Sequence, residues 1–514
     1  MRRAPWFGHW SGTAPTFRAD AGMPGFLLAA ALMAHAAALP APVTYYVRAD
    51  GGSAEQCDGR HDAPYARGKR ECAWRHPFEA LPPGGKARIA GGDTLVIGAG
   101  SYMMGRGAPG TDALEKCRKD WPWDCHASAI PSGPSADRPT RILGAGHDSG
   151  CRKAPELWGT QRSSAVIDLE GSSNVEIACL EITDHSSCIE FHNARKSDRC
   201  ERDAEPYGSW APAGIAAADS ADVRLRDLNI HGLAHDGIRA GRLRDWTLER
   251  VRIVGNGWAG WNGDVGGDSS ANHGHLLFRD VEIAWNGCVE AYPSGKHAGC
   301  WGQENGGYGD GLGTGATGGD WLFDHVNVHH NTQDGIDLLH ALPEATIVFR
   351  NVHAEANAGN QLKSSGSVTI ENSTVVGSCT ALSRESGLDS DDACRARGNS
   401  ISLSLAANTR ARVADNVIEG EGDCLVAIEC QAAGCSGAGA AVSGNRMNGV
   451  ANRKPGGEQR SPCSAWVDPK FHGADMAFSH NQIQGTRNRG CPEGFTQCAG
   501  NAASGREETA RAQK

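Results

Sequence analysis

Apart from one run near its start, the chain has no apolar stretch approaching the roughly 20 residues that a membrane-spanning helix needs, so no membrane span is expected. It also lacks an excess of positive charge. Fifty Lys and Arg against 60 Asp and Glu give a formal net charge of −10, and no global basic field would draw the chain to nucleic acid or an anionic bilayer. A polyanionic ligand would have to be met by a local device, such as a bound cation. No CxxC is paired with a second CxxC or with an HxxxH, which argues against a structural zinc site. Aromatic residues are few, at 6%, as narrow interior layers would require.

What is abundant is glycine, with 68 residues, and cysteine, with 18. The exceptional apolar run, Met23 to Leu39, is followed by small residues and Pro40. It reads as a signal-peptide core with cleavage around Ala36 to Ala41. Residues 1–41 are therefore expected to be a signal peptide, with Met23 as an alternative start, and the chain to be secreted or periplasmic. In such a compartment the cysteines favour disulfides. Close neighbours suggest local staples at Cys57/Cys72, Cys117/Cys125, Cys288/Cys300, Cys379/Cys394 and Cys491/Cys498.

The main organising signal is a repeat. WLFDHVNVHHNTQDGIDLL from Trp321 and TIVFRNVHAEANAGNQLKS from Thr346 fall into register at an offset of 26 residues, with Phe323 on Phe349, Val326 on Val352, Asn331 on Asn357 and Ile336 on Leu362. Units of this length, made of short alternating β-rich pieces split by Asn and Gly, predict successive coils of an all-β parallel solenoid. Coils of this kind are expected over residues 172–485, after an opening and capping segment at 42–171. A cap and disordered tail is expected at 486–514. Two stretches exceed the coil length, near 288–308 and 379–394, and are expected to be loop insertions, a frequent home of function on a regular scaffold.

The same register stacks chemistry. It puts Lys363 over Asp337 and Asn360 over Asp334, and aligning Leu312 with Ile336, 24 residues on, sets Asp310 beneath Asp334. Parallel strands lie about 4.8 Å apart, so Asp310, Asp334 and Asp337 could share a hard cation, for which calcium suits the oxygen ligands. Lys363 would stand beside a substrate bridged to that cation. In a uronic-acid polymer such a lysine could remove the proton at C5 while the cation neutralises the adjacent C6 carboxylate. A nearby divalent cation and partial desolvation would lower the lysine pKa, but Asp337 pulls the other way when no metal is bound, and activity is therefore expected at alkaline pH. Arg239 falls in the Asp337 column three coils earlier and could bind a distal sugar carboxylate. Lys296 and Trp301, in the first insertion, could pair with and stack on sugar rings. The plainer alternative is an Asp/Asn corner ladder with Lys363 in a surface ion pair worth at most about 1 kcal/mol.

TYYVRADGG, HPFEALPPGG and AGGDTLVIGAGSY, over about residues 44–102, resemble the opening of secreted right-handed parallel β-helix proteins of the pectate-lyase-like superfamily. QDGID at Gln333–Asp337, Asp310 one coil earlier and GNQLK ending at Lys363 resemble the motifs of family-nine polysaccharide lyases. Gln333 stands where that family's pattern has a carboxylate. The resemblance implies a right-handed parallel β-helix with calcium ligands Asp310, Asp334 and Asp337 and a Brønsted base at Lys363. The expected function is a monomeric polysaccharide lyase acting on an acidic, pectate-like polysaccharide by calcium-assisted β-elimination. Its rivals are a glycoside hydrolase using paired Asp residues and a non-catalytic carbohydrate-binding or adhesin β-helix.

Overall fold

The computed structural model describes residues 41–190, 199–200, 207–265, 271–300, 309–388, 393–394, 398–453, 459–471, 475–488 and 490–504. The expected signal segment lies outside these residues up to position 40, as do Trp301 and part of each insertion. The described chain is a right-handed parallel β-helix. A 10-stranded parallel sheet runs from Ile167–Asp168 to Cys463–Val467, and most remaining strands join in parallel in a 24-stranded set.

Alternation along each strand explains the stacking. In the 10-stranded sheet Ile215, Ile238, Trp261, Leu312, Ile336, Leu362 and Ile401 pair in register. All seven are fully buried at 0% exposure, and the residue after each points outward. Phe278, Phe323 and Phe349 form a second interior column with ring centroids 4.9 Å apart at each step. Corners repeat as well. His325, Asn351 and Asn372 adopt left-handed φ at equivalent turns, where short polar side chains are tolerated best. Inside the next corner Asn256, Asn286, Asn331, Asn357 and Gln361 bond side chain to side chain up the stack, satisfying amides that a tight buried turn would otherwise orphan.

Parallel pairing is also present in the opening segment and near the end of the described chain. Thr44–Gly52, Thr94–Ile97 and Thr140–Gly144 already pair in parallel, so the opening segment contributes full coil strands, with the Pro77–Ala80 helix beside them. At the other end Gln497–Ala499 and Ala502–Ser504 add strands onto Asp475–Ser479 and Gln482–Gln484. Pairing therefore continues into the segment expected to be a disordered tail.

All 18 cysteines are paired in nine disulfides. The five local staples expected from spacing are among them, joined by Cys151–Cys179, Cys188–Cys200, Cys424–Cys463 and Cys430–Cys435. Among the described residues no helix is long and apolar enough to cross a membrane.

Candidate functional site

The outward column of the 10-stranded sheet reads Arg239, Asn262, Gly313, Asp337, Lys363, Ser402. Lys363 is one strand from Asp337, and Arg239 is three strands before it. Lys363 Nζ donates to Asp337 Oδ2 at 2.7 Å and to Asp334 Oδ2 at 2.9 Å. This is not a surface pair: the side chains of Lys363, Asp334 and Asp337 are 21%, 2% and 19% exposed. Asp337 is held from its other oxygen by the Leu339 N–H at 2.8 Å.

Asp310 and Asp334 come from the corner two residues before each strand. The Asp334 N–H donates to Asp310 Oδ1 at 2.9 Å, and Asp334 Oδ1 in turn accepts from Asn360. The corner ladder that is the plainer reading of these residues is thus present, but it occupies one oxygen of each acid. Asp310 and Asp337 line an open cleft together with Trp258, Asn262, Asp264 and His340.

The cluster carries more negative charge than its single ammonium balances. Burial, then the charges of Asp334 and Asp337, hold the Asp310 carboxyl well above the carboxylate range. Burial and Asp334 push Asp337 up to about 6. Desolvation alone would lower Lys363, but Asp334 and Asp337 outweigh it and raise the ammonium above its ordinary value. The sequence-based expectation of a lowered lysine pKa assumed a cation at these acids. With the carboxylates facing Lys363 directly, the balance runs the other way.

The donor set fits a hard cation in chemistry, with three carboxylates, two of them buried, in mutual repulsion. The oxygens are not gathered as tightly as a finished cage. Among the described residues the three acids do not bring one oxygen each within 4.8 Å of one another, and the grouping that meets that spacing, Cys379, Cys394 and Glu421, has its sulfurs tied in a disulfide. The Asp334 and Asp337 oxygens that would serve a cation are those bonded to Lys363.

The first insertion forms an antiparallel hairpin, Cys288–Ala291 with Lys296–Cys300, and it leans toward earlier coils. Glu290 Oε2 meets His231 Nδ1 at 2.8 Å, and Glu181 Oε1 meets His231 Nε2 at 3.0 Å. Tyr292 stacks on His185 at 3.7 Å, which stacks on Trp158 at 4.0 Å. Gly255, at φ +65°, allows the approach, because a Cβ there would strike Glu290. Lys296 is exposed on the return strand and does not line the acid cleft. Trp301 lies outside the described residues. The second insertion contributes the Cys379–Ser386 helix. Its Glu385 reaches His330 at 3.0 Å, while Trp285 lies between His297 and His330 at 4.1 and 4.3 Å. The two insertions meet there, beside the coil of Asp334.

Sequence reasoning passed over Asn262, His340 and the Glu181–His231–Glu290 bridge. Asn262 was accessible, since it follows the inward Trp261 as Asp337 follows Ile336. The bridge joins residues 50 and 59 positions apart and left no periodic trace.

No family model matches the chain, and no curated protein matches it. Solved structures with a similar fold include pectate lyase Pel9A, at 14% identity over 84% of this chain and 80% of that one, with a TM-score of 0.40. Others are the Azotobacter vinelandii mannuronan C-5 epimerase AlgE6 A-module, at 11% over 80% and 91% with TM-score 0.35, and PfbA, a surface adhesin of Streptococcus pneumoniae, at 11% over 80% and 84% with TM-score 0.41. At these identities the likeness concerns the β-helix fold alone.

Proposed function

We propose that this protein is an exported polysaccharide lyase that cleaves an acidic, uronate-containing, pectate-like chain by β-elimination. Lys363 is the base, and Asp310, Asp334 and Asp337 hold calcium. The observation that carries the reading is the register that seats a lysine amine against two carboxylates, one of which, Asp337, lines an open cleft together with Asp310. Export is supported by the nine disulfides. Bound calcium would supply Lewis-acid neutralisation of the substrate's C6 carboxylate.

The chain's own residues do the rest. Lys363, as the neutral amine, accepts the C5 proton. The C5–H electron pair becomes the C4–C5 double bond as the C4–O bond breaks, and the departing oxygen takes a proton from water. Asp334 and Asp337 aim the amine, but they also keep it charged, so turnover requires alkaline pH. Arg239, on the same outward column, pairs with a carboxylate further along the polymer.

A second reading has its own observation. A carboxyl with its pKa raised, as at Asp337 and Asp310, is what a glycosidase acid needs. Incubation with a panel of acidic polysaccharides separates the two. Elimination produces an ultraviolet-absorbing unsaturated end, abolished by a chelator and restored by calcium. New reducing ends without that absorbance would establish hydrolysis instead, and binding without turnover would leave a carbohydrate-binding β-helix.

A further inference from the structure

We propose that Asn360 is the positioning residue of this site, clamping one oxygen of Asp334 so that the other is presented to Lys363. The inference rests on the reading of Asp334 and Lys363 as parts of the reaction centre. A carboxylate torsion is soft and nearly two-fold, so an acid in a corner column could turn either oxygen outward or waver between them. Asp334 cannot. Its Oδ1 accepts both the Asn360 backbone N–H at 2.6 Å and the Asn360 Nδ2–H at 2.9 Å, and Oδ2 is left for Lys363 at 2.9 Å. Gly359 completes the cradle, because a Cβ at that position would run into Asp334 Oδ1.

The clamp differs from the ladder of which it is part. Higher up, Asn360 Oδ1 accepts the Asn399 N–H at 2.8 Å, and Asn399 Oδ1 accepts the Cys424 N–H at 3.1 Å. Those rungs join a side-chain oxygen to the next coil's amide, as Asp310 does below. At Asn360 a side-chain amide also reaches back to a carboxylate. Two donors on one oxygen fix the carboxylate plane, which a single rung does not.

Asn399 therefore supplies the control. Asn399→Ala removes a rung of the same ladder without touching Asp334, while Asn360→Ala removes a rung and the side-chain half of the clamp, leaving only the backbone N–H on Asp334 Oδ1. Each variant is assayed for kcat and KM on polygalacturonate and for the rise in melting temperature on adding calcium chloride. Partners that orient a metal-ligating side chain are commonly worth about 10- to 100-fold. Asn360→Ala should lose kcat in that range with KM little changed, and should show a smaller calcium-induced rise. Asn399→Ala should match wild type in both readouts despite a lower melting temperature. Wild-type turnover with equal losses in Asn360→Ala and Asn399→Ala would overturn the positioning role alone. A wild-type protein with neither turnover nor a calcium response would overturn the proposed function, and the role of Asn360 with it.

Discussion

Truncating Lys363 to Ala should damage stability and catalysis in ways that can be pulled apart. The amine bridges Asp334 and Asp337 at 2.9 and 2.7 Å. Removing one partner of a buried ion pair costs about 3–5 kcal/mol, against about 0–1 for an exposed pair. This site lies between those limits: Asp334 is almost fully buried, but the other two side chains are about one-fifth exposed. Each acid also keeps a backbone donor on its second oxygen. We expect a loss of about 2–3 kcal/mol at pH 8. The loss should shrink on acidification, and the sign is fixed by Asp337. Its carboxyl is raised from 3.8 to about 6, so its contribution is fully present below about 3.8 and is lost as pH rises through 6. Without the ammonium its folded pKa goes higher still, which leaves the variant's deficit on the neutral and alkaline side. Denaturant midpoints at pH 5 and pH 8 measure it.

Catalysis gives the second readout, under conditions where both proteins are folded. A missing general base costs about 10²–10⁴ in kcat, with substrate and calcium still bound. Lys363→Arg separates the roles. A guanidinium can hold Asp334 and Asp337 and so restore most of the stability, yet it does not deprotonate, and kcat should stay low. Retention of more than about a tenth of wild-type kcat by Lys363→Ala, or substantial turnover by Lys363→Arg, would refute the assignment and leave an ion pair in its place.

Two further outcomes follow from other parts of the molecule. Desolvation alone would lower His231, but Glu181 and Glu290 outweigh it and push it up to about 9, so its stabilising charge is fully present below about 6.5 and is lost as pH rises through 9. Melting temperature should fall across that interval in wild type and less in Glu290→Gln; identical pH profiles would remove the bridge as a hairpin anchor. Arg239→Ala should raise KM for long polygalacturonate about tenfold, the worth of one charge-assisted hydrogen bond of about 1.5 kcal/mol. It should leave short oligomers unaffected, and no length dependence would place Arg239 outside the binding track.

How far the sequence could be read depended on loop length. Asp337 and Lys363 aligned because their coils share turns of equal length, so one offset carried Phe323, Asn331 and Ile336 together onto their partners. Asp310 required a second offset, and Leu312 sufficed to set it. The opening strands showed only through their resemblance to a β-helix opening and not through a repeat, because Thr94–Ile97 and Thr140–Gly144 pair across a 47-residue step whose long loop erases periodicity. The last strands, QCA and AAS, are too short and too exposed to alternate. The insertions showed themselves as excess length, but where they lie depends on Glu290 finding His231 and Tyr292 finding His185, contacts set by three-dimensional proximity alone.

The corner ladder and the reaction centre looked like competing explanations for the same acids, and the atoms show why they need not compete. A carboxylate has two oxygens. At Asp310 and Asp334 the first accepts an N–H from the coil above and so does the work of the asparagine rungs over it. At Asp334 the second faces Lys363. An asparagine at 334 could keep the first bond and would forfeit the charge on the second; an alanine would forfeit both. Asp334→Asn should accordingly fold with the ladder intact while losing its hold on the Lys363 ammonium and on any cation, and that separation of scaffold from charge is the reason an acid occupies a position where, one coil higher, an amide suffices.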